Sequence, residues 1–95
     1  MVKIRAYENV WDALEDNPAE RASLTIRSEL MIALEGAVER WKITQKQAAA
    51  RLGITQPRLN DLLKGRINKF SLDALVDLAT RAGLSVTVKV KKQAA

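Results

Sequence analysis

The pattern of apolar residues predicts a mainly α fold, a bundle of four to five helices with a C-terminal β-strand. Three observations carry this. One long stretch after Asn17 repeats its apolar residues at helical spacing. Three short stretches share the same start and stop residues. After Gly83 the period drops to two. With 95 residues, the chain has room for one domain and one small core.

Residues 1–16 form an N-terminal extension. Val2, Ile4 and Ala6 alternate with Lys3, Arg5 and Tyr7, a short strand signal. Val10, Trp11 and Leu14 then share one face of a short amphipathic turn whose other positions carry Glu8, Asp12, Glu15 and Asp16.

The helical domain is expected over residues 17–83. Asn17 can cap, Pro18 suits a first helical position, and Glu20 completes a box-like pattern. The stripe Leu30, Leu34, Ala37, Val38 and Trp41 predicts a helix over Pro18–Trp41, with residues 23–25 as a place where it can break. Gly36 interrupts it at a cost of about 1 kcal/mol relative to Ala, and close packing against another helix is the expected reason.

Three shorter helices follow one grammar. Each starts with an apolar residue, then a capping hydroxyl, then an apolar residue at the fourth helical position. They read Ile43-Thr44 to Ala48, Ile54-Thr55 to Leu59 and Phe70-Ser71 to Leu75. Gln47 completes a capping box with Thr44. Gly53, Gly65 and Gly83 stand where left-handed stop residues are wanted.

The strand is expected over residues 84–91. Leu84, Val86, Val88 and Val90 would line one apolar face. A lone strand cannot satisfy its own backbone. It needs the N-terminal strand, or a second copy of the chain, in which case those four residues are the candidate dimer interface. Residues 92–95 read as a frayed tail.

Charge narrows the function. The net charge is +5, but residues 1–39 hold eight acids and four bases, while residues 40–95 hold three acids and twelve bases. A basic majority suggests a polyanion partner, and an acidic start suggests a basic protein partner. There is no cysteine and no histidine. Disulfides and thiolate chemistry are excluded, and the commonest general base and metal ligand are missing. No enzyme, metal or cofactor is expected. No apolar run is long enough for a membrane span, no signal peptide is visible, and a cytoplasmic location is expected.

Residues 44–65 combine into a helix-turn-helix around Gly53. At about 100° per residue, Leu59, Leu62 and Leu63 face the core. The other side presents Gln56, Arg58, Asn60 and Asp61, the candidate readers of base edges in double-stranded DNA. Asp61 would accept from a cytosine amino group, or hold Arg58 or Lys64 in place. Candidate phosphate contacts are Thr44, Gln45, Lys46 and Thr55 at helix starts, with Lys64, Arg66, Asn68 and Lys69 after the second helix.

Gln45, Ala49, Gly53, Gln56 and Leu59 stand at the spacings of a known group. Over residues 29–83 the chain resembles the phage-repressor-like (Cro/cI or XRE) helix-turn-helix family. The resemblance implies a phosphate contact at Gln45 and a base contact at Gln56. The run TQPRLNDLLKG, then KFSLDALVDLATRAGL, with RSELMIAL before and SVTVKV after, resembles the single-domain HigA-type antitoxins. That subgroup implies a homodimeric repressor of its own operon, bound by a small basic RelE/HigB-like toxin. Val10, Trp11, Leu14, Glu15 and Asp16 are the candidate toxin-binding residues. The alternative is a free-standing XRE-type repressor. Pro57 and Asp61 depart from the glutamine-rich reading face of several phage repressors.

Overall fold

The computed structural model describes residues 17–92. The proposed N-terminal strand, the acidic turn with Val10, Trp11, Leu14, Glu15 and Asp16, and the last three tail residues lie outside them.

Among the described residues, four α-helices and one 3-10 turn follow in order: α1 (Pro18–Trp41), α2 (Gln45–Leu52), α3 (Gln56–Leu63), the turn Ile67–Lys69, and α4 (Leu72–Arg81). α1 runs unbroken through residues 23–25. Two hydroxyls that could have disturbed it donate to carbonyls one turn back, Thr25 to Arg21 at 2.9 Å and Ser28 to Leu24 at 2.8 Å. Asn17 caps its start by accepting from the Glu20 N–H at 3.1 Å. Its end turns at Lys42, which sits in the left-handed region at φ 53° without being glycine.

Capping matches the sequence closely. Thr44 and Gln47 form both bonds of a capping box, and Thr55 and Ser71 accept from the N–H groups of Arg58 and Ala74. The three helix stops share a backbone lock. After α2, Ile54 N–H donates to the Ala49 carbonyl at 3.0 Å. After α3, Arg66 N–H donates to Asp61 at 3.0 Å. After α4, Leu84 N–H donates to Ala79 at 2.9 Å. Each pairs with a bond from the preceding glycine that reaches back only three residues, the Schellman arrangement.

The core gathers Leu24, Met31 and Leu34 of α1 with Ala48, Ala49 and Leu52 of α2. Leu59 and Leu62 of α3, Ile67, Phe70, and Leu75, Leu78 and Ala79 of α4 complete it. α1 lies against α4, α3 and the 3-10 turn, and α2 packs on α3 and α4. The buried stripe of α1 is shifted from the one expected. It centres on Leu24, Ser28, Met31, Leu34 and Ala37, with Leu30, Val38 and Trp41 half-buried on its flanks.

Four further expectations differ from what the described residues show. Residues 84–92 form no strand, because none of the described residues pairs with them and a ladder needs two members. Leu84, assigned to a dimer face, packs on its own core as the residue closing α4, while Val86, Val88 and Val90 are 36%, 79% and 88% exposed. Among the described residues, Gly36 makes no close approach to another helix. The nearest atom to a β-carbon placed there is Arg40 Nη1 on the same helix, at 3.2 Å. The stapling residues also differ: Phe70 is buried and Ile54 half-buried, but Ile43 is exposed.

Candidate nucleic-acid interface

α2 and α3 are joined by residues 53–55. Gly53 has φ 72°, where a β-carbon is strained. Any side chain there would also collide with the Arg81 guanidinium, which folds over the turn while its Nε pairs with Asp77 at 3.0 Å. The turn is thus pinned by α4. Behind it, Arg51 lies over the Trp41 ring at 4.2 Å and ties α2 to the end of α1.

Leu59 and Leu62 are fully buried and Leu63 half-buried, which fixes the rotation of α3. Gln56 and Pro57 are exposed in its first turn, and Asn60 is half-buried beside them. In a helix-turn-helix this first turn reaches base edges. The side chains of Gln56 and Asn60 make no hydrogen bond with the described residues, so their amides keep their full bidentate capacity.

Arg58 is directed elsewhere than expected. Its guanidinium stacks on the Phe70 ring at 4.2 Å, and Nη1 donates to the Lys69 carbonyl at 2.8 Å. A side chain so held braces the loop after α3 rather than extending along the first turn. Asp61 also differs from expectation. It holds neither Arg58 nor Lys64, but accepts from Arg66 Nη1 at 3.1 Å and lies 3.8 Å from Lys69 Nζ.

The phosphate candidates fall into two groups. Thr44, Gln45 and Lys46 are exposed at the start of α2, and Thr55 at the start of α3. The threonine oxygens accept capping bonds, leaving each hydroxyl hydrogen to donate outward. Lys64, Arg66, Asn68 and Lys69 are exposed after α3. Their loop has a brace the sequence reading missed. Arg27 of α1 reaches across with Nη1 to the carbonyls of Ile67 and Phe70, at 3.4 and 3.3 Å. Nothing local in the sequence marks Arg27, since its partners lie 40 and 43 residues ahead.

Charge along this stretch of the sequence is lopsided. Residues 40–69 carry eight bases and one acid, Asp61.

A family model described as a helix-turn-helix domain matches residues 13–91. The chain belongs to this helix-turn-helix family. No curated protein matches it. The helix-turn-helix assignment covers the motif, the core behind it and the segment after α4, and it points to a DNA-binding regulator. No helix among the described residues is long and apolar enough to cross a membrane.

Proposed function

We propose that this helix-turn-helix domain is a sequence-specific transcriptional regulator that binds double-stranded DNA as a homodimer in the cytoplasm. The observation that carries the reading is the outer face of α3. It presents Gln56 and Asn60 for adenine-type contacts, in a stretch of sequence, residues 40–69, with a single acid among eight bases. Gln45, Lys46, Lys64 and Lys69 supply the sequence-independent attraction.

One reading helix has limited specificity, and two copies about one helical turn apart would multiply it. The exposed alternation of Val86, Val88 and Val90 supports pairing with a second copy. The acidic start of the chain and the resemblance to HigA-type antitoxins support a further role. In it the protein sequesters a basic RelE/HigB-like toxin and represses the operon encoding both. The alternative is an XRE-type repressor without a toxin.

The test is a binding titration of the full chain against duplex DNA from upstream of its own coding sequence and a scrambled duplex. Preferential binding upstream supports the regulator. Equal binding to both refutes sequence reading. Co-purification of a small basic protein encoded beside it supports the antitoxin. A neighbourhood with no such gene leaves the free-standing repressor.

A further inference from the structure

We infer that Asp61 is an internal competitor of the DNA backbone that tunes affinity: in the free protein its carboxylate occupies the two cations, Arg66 and Lys69, that DNA phosphates would otherwise take. The inference rests on the DNA-binding reading above.

Asp61 is the one acid between residues 40 and 69, and its side chain is 18% exposed, against 49% for Arg66 and 54% for Lys69. It therefore sits beneath the two cations, not beside them in open solvent. The backbone fixes this. The lock at the end of α3 brings the Arg66 N–H onto the Asp61 carbonyl, so the two side chains start from adjacent points. Lys69 is brought over the same carboxylate by a loop held on one side by Arg58, at the Lys69 carbonyl, and on the other by Arg27.

After α2 and α4 the residue at this lock is apolar, Ile54 or Leu84, and packs on the core. After α3 it is Arg66, turned to Asp61. A carboxylate offers two oxygens and one negative charge, the same features a phosphodiester offers to a guanidinium. Two consequences follow. The cations are held in a geometry suited to an anion before DNA arrives. The local charge is also lower by one, so non-specific attraction is weaker. A phosphate must displace Asp61, so Asp61 weakens binding to a duplex of any sequence.

The test uses the full chain and its Asp61→Asn variant, titrated with the upstream duplex and a scrambled duplex across a salt series. Glu29→Gln, an exposed site on α1, is the control with the same change in charge. The expected result for D61N is roughly fivefold tighter binding to both duplexes and a log–log salt slope steeper by about 0.9 per protomer. The ratio of upstream to scrambled affinity stays as in the wild type, and E29Q stays near wild type. In a background carrying Arg66→Gln and Lys69→Gln, adding D61N should change binding no more than E29Q does.

If wild type prefers the upstream duplex but D61N matches E29Q in affinity and slope, the inference is overturned and the DNA reading stands. If wild type binds neither duplex, the DNA reading fails and takes the inference with it. Asp61→Ala, with the strongest helix former, replaces D61N if the asparagine variant melts below the assay temperature.

Discussion

The ends of α2 and α3 are built alike and used differently. Each closes with a glycine at positive φ and a backbone bond reaching five residues back. After α2 the next side chain is Ile54, which packs on the core. After α3 it is Arg66, which lies on the surface over Asp61. The same backbone device secures a fold in one place and presents a charge in the other. Stability and recognition are thus separable at adjacent helix ends, and substitutions can show how cleanly.

Three substitutions and one truncation probe that separation in order of decreasing effect on stability. Gly53→Ala forces a β-carbon into the left-handed region and displaces Arg81 from the turn. It should cost about 2 kcal/mol, read as a fall in the thermal midpoint. Ile54→Ala removes half-buried apolar volume from the lock after α2 and should cost about 1.5 kcal/mol. Arg66→Leu makes the second lock resemble the first. Its effect on stability should stay within about 0.5 kcal/mol, while the salt slope of DNA binding becomes shallower by about 0.9 per protomer. A melting curve beside a salt titration reads both. Ending the chain after Ser85 keeps Leu84 and all three locks. The midpoint should hardly move, yet sedimentation should report a monomer, since Val86, Val88 and Val90 are gone. A truncated chain that stays dimeric would rule out pairing through this segment.

The parts legible in the sequence are those whose causes lie within a turn or two of each residue. Asn17, Thr44, Thr55 and Ser71 cap where expected because capping is an interaction over three residues. Leu59 and Leu62 are buried because one helix face must be. What was missed depends on partners that periodicity does not encode. Arg58 follows Phe70, twelve residues on, and Asp61 takes Arg66 and Lys69 once the loop folds back. Arg27 acts across 43 residues. The alternation after Gly83 is real, but alternation describes a face, and a strand also needs a neighbour. Gly36 was assigned a packing role that its surroundings do not require.

The spacing of the helices has a kinetic consequence. Only residues 42–44 separate α1 from α2, and only residues 53–55 separate α2 from α3. Chains joined by such short connectors bring most partners together early and fold in microseconds to milliseconds. Arg27 is among the exceptions, with the packing of α1 on α4. Its bonds to Ile67 and Phe70 close one of the widest loops in the domain, and that entropy is lost before the contact rewards it. The bridge should therefore form after the folding barrier, giving Arg27→Ala a φ-value near zero: faster unfolding with an unchanged folding rate. The loop that carries Arg66 and Lys69 is then the last piece set in place, assembled onto a helix pair that already stands.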